Sequence, residues 1–486
     1  MRLGERVQAL AALGARDVLT LASDSRAVTP GALFFAVPGW QHDGAAHADA
    51  AVRAGAVAVV SEAAPRELSV PWLQVRDVRL VLAETCRVFF ARDTSPMRYA
   101  SVTGTNGKTT ITFLFEAMAR AAGERIGLLG TIEQRFEGQH WPATHTTLLP
   151  IELCSRLQEM ETLGAAWAVL EVSSHALDQK RADALRFAVS GFTNLTPDHL
   201  DYHGTMEAYF TAKARLFREL TSGVSVIHTG GASGERMLAQ VTGAKLAVAR
   251  ERGDVSVESV RVERERTPLV LHTPVGRLEL VSPLIGEFNI ENVLVAVGMA
   301  VAAGFSADAI AHGIEKVRVP GRLQAVRAAN GRLGFVDYAH TPDALARTLS
   351  TLQALPHRRV LCVFGCGGDR DRTKRPLMGE AVAAHSDVAV VTSDNPRSES
   401  AEAIIADILP GLHAFEQHAP QAPVTSRSFV VLADRGEAIR WAAEKMNAED
   451  LLLVAGKGHE DYQIVGDERR HFDDCESLTN AFGGAA

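Results

Sequence analysis

Residues 101–110 read SVTGTNGKTT, and how this stretch is understood decides the fold. Its second half, Gly107-Lys108-Thr109, fits the end of the phosphate-cradling pattern G-x-x-x-x-G-K-[ST]; the first glycine of that pattern would fall at position 102, which is Val. The flanks supply the context that the motif needs. MRYASVT (97–103) is short, apolar and partly β-branched, which predicts a buried strand. ITFLFEAMARAAG (111–123) carries apolar residues at helical spacing and stops at Gly123, which predicts a helix. A strand, a glycine turn and a helix would place the backbone N–H groups of residues 104–110 at a helix N-terminus, where the dipole favours an anion. Lys108 would reach a terminal phosphate, and the Thr109 hydroxyl would ligate Mg²⁺. The plainer alternative is an ordinary glycine turn with a solvated lysine, and it leaves G-K-T-T in this context without a reason.

Around this loop the chain has the material for several domains. It has 486 residues, 47% of them hydrophobic, which suits about three cores. A formal net charge of -8, with no long basic block, argues against a nucleic-acid partner. Five scattered cysteines fit a reducing compartment. Cys362 and Cys366 lie close in LCVFGCGG, a strand running into a glycine turn, and read as packing thiols. The N-terminal MRLGERVQALAALGA has charges and no apolar core, so no signal peptide is expected, and no stretch has the length of a membrane span. The expectation is a soluble cytoplasmic monomer.

Composition divides the chain into 1–96, 97–319 and 320–486, with joints at RDTSPM (92–97) and VRVPGRL (317–323). Strands are predicted in GAAWAVLEVSS (164–174) and FAVSGFTNLT (187–196), and in the third unit in RRVLCVFG (358–365), DVAVVTSD (387–394) and DLLLVAGKG (450–458). Each runs directly into polar residues, as expected where ligands sit at the carboxyl ends of parallel strands. Those residues are Glu171; Asp198 and His199; Gly368-Asp369-Arg370; Asp394-Asn395-Pro396-Arg397; and Gly456-Lys457-Gly458-His459-Glu460. GCGGDRD lacks the spacing of a dinucleotide fingerprint. His199 and His203 are four apart but do not fit H-E-x-x-H, so a zinc site is not inferred.

TGTNGKTT, EVSSHAL, TNLTPDHLDYHG, GEFNIENV, PGRLQ, DYAHTPDAL, FGCGGDRDRTKRP, DNPR and AGKGHEDYQ occur in that order. Together they resemble the Mur ligases of peptidoglycan synthesis across nearly the whole chain. The phosphate loop of that family is the short G-T-N-G-K-[ST] form, so Val102 is no defect. The resemblance implies an α/β chain of three domains: an N-terminal UDP-binding domain, a central parallel-sheet ATPase domain with the phosphate loop, and a C-terminal Rossmann-like domain. It also implies a reaction, in which ATP activates the D-Glu γ-carboxylate of UDP-N-acetylmuramoyl-L-Ala-D-Glu as an acyl phosphate. An amino acid, here meso-2,6-diaminopimelate, then attacks it to form an amide.

By motif position the resemblance implies that Gly104, Thr105, Asn106, Gly107, Lys108, Thr109 and Thr110 hold phosphate. Asn289 and Asn292 fall near the purine, and Arg322 and Asp337 at phosphate and ribose. Lys108, Lys213 and His199 are implied in catalysis. Thr109 and Glu171 are implied as ligands of one Mg²⁺, and Glu171 and His199 of a second, joined by a carbamate on Lys213. From its residues alone, Lys213 in YFTAKARLF is only a lysine of an amphipathic helix, and the asparagines could be helix caps. Ser23, Ser25, Trp40, Gln41 and His42 match uridine contacts, while Arg26 could simply pair with a local acid. His145, Thr146, Thr147, Ser173, Gln179 and Arg181 match positions that hold the muramoyl-dipeptide. Arg370, Asp394, Asn395, Pro396, Arg397, Gly456 and Glu460 match the diaminopimelate site. Two departures stand out: His145 replaces a common asparagine, and VIHTGGASGE (226–235) replaces a stretch with asparagine and acidic residues. Folylpolyglutamate synthetase shares the short loop but lacks a uridine-type first domain and DNPR. A regulatory ATP-hydrolysing switch is the alternative outside the ligases.

Overall fold

The computed structural model describes residues 1, 3–39 and 43–484. The chain divides into two compact units. One comprises Met1–Glu258, Leu271–Leu278 and Glu291–Ile314, and the other Ser259–Val270, Glu279–Ile290 and Glu315–Ala486.

Two sheets belong to the first unit. Strands Thr20–Ala22, Ala32–Ala36, Ala56–Ser61 and Trp72–Gln74 pair in that order, all parallel. The second sheet has eight strands. Its six parallel members run Ala244–Val248, Thr221–His228, Phe187–Phe192, Arg98–Thr103, Trp167–Glu171 and Ile126–Leu129. An antiparallel extension, Gln134–Phe136 and Gln139–Trp141, completes it. The strand before the phosphate loop is thus central, with neighbours on both sides, which explains why every residue after Arg98 is buried, the polar Ser101 and Thr103 included. The strand that precedes Glu171 is buried throughout. The VIHTGGASGE departure closes the strand Thr221–His228 and opens the helix Ala232–Gln240.

The second unit carries a seven-stranded sheet in the order Gln324–Arg327, Leu333–Asp337, Leu451–Ala455, Val360–Phe364, Val388–Val391, Ser428–Val431 and Glu416–Gln417. All neighbours are parallel except the first pair. Three of these strands are the ones that apolar runs predict. The other four are short or interrupted by Gly, Arg and Gln, and periodicity does not separate them from loop. Cys362 and Cys366 are buried in this unit's core, as packing thiols should be.

A buried ion pair ties the sheet to the last helix. Arg435 donates Nε and Nη2 to the two carboxylate oxygens of Asp474 at 2.8 and 2.7 Å, and both side chains are inaccessible to solvent. Its remaining donors reach the carbonyls of Ser393 and Ala455, at the ends of two strands. Asp474→Ala would leave a buried guanidinium without its counter-charge. It is expected to cost about 3–5 kcal/mol, read as a lower unfolding midpoint in urea; an unchanged midpoint would remove the pair from the stability account.

Candidate active site

The phosphate loop is built as the sequence requires. Gly107, at φ 88°, precedes the helix Lys108–Ala121, whose first N–H groups face the loop. Space also dictates glycine: a Cβ on Gly104 would lie 1.8 Å from Thr193 Oγ1, and one on Gly107 2.2 Å from Asn292 Oδ1. The loop is pinned from the neighbouring strand end. Asn106 N donates to Asn194 Oδ1 at 3.0 Å, Thr193 Oγ1 donates to Asn106 O at 2.6 Å, and Thr105 N donates to Asn194 O at 3.0 Å. Thr105 Oγ1 meets Tyr209 OH at 3.1 Å. Lys108 Nζ donates to the carbonyls of Gly104 and Thr105 at 3.0 and 2.9 Å, so its stem already lies over the loop.

In the first turn of the helix, Thr109 Oγ1 donates to Glu171 Oε1 at 2.9 Å. Glu171 is buried and also accepts from Thr131 N at 2.9 Å and Thr131 Oγ1 at 3.0 Å. A Cβ on Gly130 would fall 2.5 Å from its Oε1, so small residues wall this carboxylate. A hydroxyl beside a carboxylate is a hard oxygen pair of the kind Mg²⁺ takes, with phosphate and water completing its shell. Among the described residues no three His, Cys, Asp or Glu side chains converge as a ready-made metal group.

Lys213 is far from a surface cation. It is 1% exposed, its Nζ donates to Gly104 O at 2.9 Å, and it lies over the Tyr209 ring. Burial, then the nearby Lys108 ammonium, holds its amine well below the usual lysine range, with Asp198 opposing. His199 sits at φ 53°, half exposed, with its ring 4.8 Å from that of His175 and 6.3 Å from that of Tyr209. His203 meets Ser174 Oγ at 3.0 Å.

The dipeptide-type residues converge beside Glu171. Thr147 Oγ1 donates to Glu171 O at 2.9 Å and accepts from Ser173 N at 3.1 Å. Arg181 donates to Gln179 Oε1 and to Thr147 O, and Thr146 accepts from Thr131 Oγ1. His145 is exposed, with its Nδ1 3.2 Å from Thr144 Oγ1. In the first sheet, Ser23 and Ser25 are half-buried, and Arg26 is paired with Asp24 at 2.7 Å, the local acid that the sequence offered. Trp40, Gln41 and His42 lie outside the described residues.

The second unit gathers another set at its strand ends. Asp337 is buried, accepting from Leu323 N at 2.7 Å and Ala339 N at 2.9 Å. Burial raises its carboxyl, with Arg322 and these bonds opposing. The Arg322 guanidinium lies 4.9 Å from the Tyr338 ring centre. Asn289 is buried and donates to Ile285 O at 2.8 Å. Asp394, Asn395 and Pro396 are buried, and Arg397 turns out at φ 53° with its Nη1 donating to Gly368 O at 2.7 Å. A Cβ on Gly368 would strike Pro396 O at 1.9 Å, which locks the two turns together. Asn395 Nδ2 donates to Glu460 Oε2 at 2.9 Å, and a Cβ on Gly456 would fall 2.5 Å from Asp394 Oδ2. Arg370 is exposed at the end of the 365–368 turn. Below it Arg375, wholly buried, braces both loops through Glu399, which also accepts from Asp369 N.

Sequence reasoning passed over Tyr209, Thr131, Asn194, His175 and Arg375. Each acts by supporting a motif residue, and only their places inside or beside the same motifs could have singled them out. Lys457 was in view at a strand end but without a role.

Three stretches match Mur ligase domains: the Mur ligase family catalytic domain over residues 18–90, the Mur ligase middle domain over 102–300, and the Mur ligase glutamate ligase domain over 321–458. A UDP-N-acetylmuramoyl-L-alanyl-D-glutamate–2,6-diaminopimelate ligase of Geobacter metallireducens is 43% identical over 483 residues, covering 96% of this chain and 94% of that one. The protein of the same name in Geobacillus thermodenitrificans is 41% identical over 472 residues, covering 95% and 94%. A solved structure with that name superposes with a TM-score of 0.72 at 35% identity, over 96% of this chain and 94% of the other. An Escherichia coli FolC structure with ADP has a TM-score of 0.59 at 21% identity and covers 78% of this chain and 90% of its own, a likeness of fold alone.

Proposed function

The chain belongs to the Mur ligase family, and from that premise we propose that it is an ATP-dependent amide ligase joining meso-2,6-diaminopimelate to the D-Glu γ-carboxylate of UDP-N-acetylmuramoyl-L-Ala-D-Glu. The reading places it in the synthesis of peptidoglycan precursors. We place the domain boundaries at 96 and 319, and read the protein as a cytoplasmic monomer; among the described residues no helix is long and apolar enough to cross a membrane.

A carboxylate is a poor electrophile, and here it must approach an anionic phosphate. The γ-carboxylate attacks the γ-phosphorus of ATP, ADP leaves, and an acyl phosphate forms. The diaminopimelate amine then attacks the acyl carbon, phosphate leaves and the ammonium proton is lost. Residues 104–110 and Lys108 offer the donors that the transferring group needs. Thr109 and Glu171, with His199 and a carbamate on Lys213, would hold Mg²⁺, which when bound neutralises phosphate charge. Thr147, Ser173, Gln179 and Arg181 would orient the dipeptide, and Ser23, Ser25, Trp40, Gln41 and His42 the uridine. Asn289, Asn292, Arg322 and Asp337 would hold the nucleotide.

The observation that carries the choice of amino acid is the pairing of opposite charges at one set of strand ends. Arg397 is half-buried on a braced turn with its Nη1 tied to Gly368 O at 2.7 Å, and Glu460 is fixed by Asn395 at 2.9 Å. An amino acid ending in both a carboxylate and an ammonium group suits that pair. Folylpolyglutamate synthesis is less suited, because the 18–90 domain and DNPR are both present.

Purified protein should release phosphate from ATP only with both UDP-N-acetylmuramoyl-L-Ala-D-Glu and diaminopimelate, and should use lysine at least about ten-fold less well, the equivalent of 1.4 kcal/mol. Phosphate release without either co-substrate would favour a hydrolytic switch and overturn the ligase reading.

A further inference from the structure

Lys457 has no part in the reaction as set out above, yet its side chain is wholly buried among the residues of the amino-acid site. Its Nζ donates to Asn395 Oδ1 at 3.1 Å and to Tyr462 O at 2.6 Å. It stands 3.8 Å from Asp394 Oδ1 and 3.7 Å from Glu460 Oε2. The Asn395 amide is thereby given one orientation. Its Oδ1 also accepts from Ile464 N at 3.0 Å, so a flipped amide would set its NH₂ against two donors. The correct end, Nδ2, then donates to Glu460 Oε2 at 2.9 Å. A chain thus runs from the buried ammonium through Asn395 to the carboxylate expected to meet the substrate.

We propose that Lys457 is a positioning residue for amino-acid binding: it orients the Asn395 amide and compensates the adjoining carboxylates of Asp394 and Glu460, so that Glu460 is presented to the incoming ammonium group. The inference rests on reading this pocket as the diaminopimelate site. Lysine suits the place because a compact ammonium on a thin stem offers donors to an amide and a carbonyl and lies near two carboxylates, whereas a planar guanidinium needs more room.

The charges around Glu460 give the proposal a signature. Burial raises its carboxyl, and Asp394 raises it further; Lys457, the Asn395 bond and Arg397 act the other way. Burial lowers the Lys457 amine and Arg435 acts the same way, while Asp394, Glu460 and Asp474 favour the cation. Tyr338 and Tyr462 also face this group of charges, and His459, the residue before Glu460, is held neutral by burial, at about 4. Removing the lysine charge removes one of the opposing influences, so Glu460 takes up its proton at a higher pH. A protonated Glu460 no longer attracts an ammonium group, so the KM for diaminopimelate should climb as pH falls, and climb earlier in the variant.

The test compares full-length Lys457→Gln and Lys457→Met with the wild type, measuring the KM of each substrate and kcat across pH 6 to 9 as a rough span around neutrality. Expected is a rise of about ten-fold in the KM for diaminopimelate near neutral pH. That rise should shrink as pH increases, with the KM for ATP and for the UDP-substrate moved less than two-fold, about the limit of independence. In a Glu460→Gln background, Lys457→Gln should add little. A rise equal at every pH, or one shared by all three substrates, would mean that Lys457 only supports the fold and would overturn the proposal. The same follows if Lys457→Gln keeps its full effect on top of Glu460→Gln. If the methionine variant does not fold, the glutamine variant, which keeps hydrogen-bonding capacity, decides the matter. A wild type that does not distinguish diaminopimelate from lysine would fell the site reading itself; a discriminating wild type with an unmoved Lys457→Gln would fell this inference alone.

Discussion

Lys213→Ala is expected to lose most ligation activity, about 10³-fold or more if it removes a fixed element of the charge-stabilising site. High bicarbonate or a short carboxylic acid should restore part of it. The side chain is 1% exposed, and its amine donates to Gly104 O at 2.9 Å, the same carbonyl that Lys108 Nζ reaches at 3.0 Å. Two ammonium groups on one carbonyl repel each other, and a buried lysine with no carboxylate bound to it is costly. The neutral amine is the form that adds CO₂, giving a carbamate and a proton, and the product would set an anion beside the Gly104 carbonyl of the loop. A small carboxylate diffusing into the space left by alanine would supply the same charge. Turnover like that of the wild type in Lys213→Ala would remove this role, and loss without any rescue would make Lys213 a packing residue.

Lys213 also shows where sequence reading stops. Its helix, Met206–Arg215, is legible from capping by Thr205 and from apolar spacing, but the burial of one lysine is not, because it depends on where the helix docks. The strand, glycine turn and helix over residues 98–121 were legible because they are local features, and Gly104 and Gly107 are required by contacts that any side chain would break. The strands flanking Glu171, Gly368, Asp394 and Gly456 were legible because parallel strands buried on both faces are continuous apolar runs. The short strands at Gln324–Arg327 and Glu416–Gln417 were not, since each owes its existence to a neighbour in the sheet and not to its own composition. Supporting residues such as Arg375 and Lys457 escaped for the same reason. A buried cation differs from a solvated one only in its partners, and the deciding ones here lie far along the chain: 24 and 32 residues for Arg375, and 62 for the Asn395 that Lys457 holds besides its near partners Tyr462 and Glu460.

Arg397→Ala should raise the KM for diaminopimelate by about ten-fold or more, with ATP and UDP-substrate binding nearly unchanged. Diaminopimelate differs from lysine by a carboxylate at the far end of its side chain, so a selective site needs a fixed cation there. Arginine serves better than lysine because its planar fork can meet both carboxylate oxygens. Pro396 restricts the backbone before it, and Arg397 itself takes φ 53°, a conformation that side-chain-bearing residues seldom adopt and that the surrounding bonds must hold. Those bonds are present: Arg397 N donates to Ile464 O at 3.1 Å, Gly466 N donates to Arg397 O at 2.7 Å, and Nη1 donates to Gly368 O at 2.7 Å. The last bond fixes one edge of the guanidinium and sets the direction of the rest. A solvated loop arginine would have no need of such a frame. Because the truncation leaves the backbone bonds intact, its effect should fall on one substrate and on the end of that substrate that carries the extra carboxylate. The variant should therefore lose its preference for diaminopimelate over lysine. If it keeps that preference, or if the wild type ligates both amino acids equally well, Arg397 is not the group that reads the distal carboxylate.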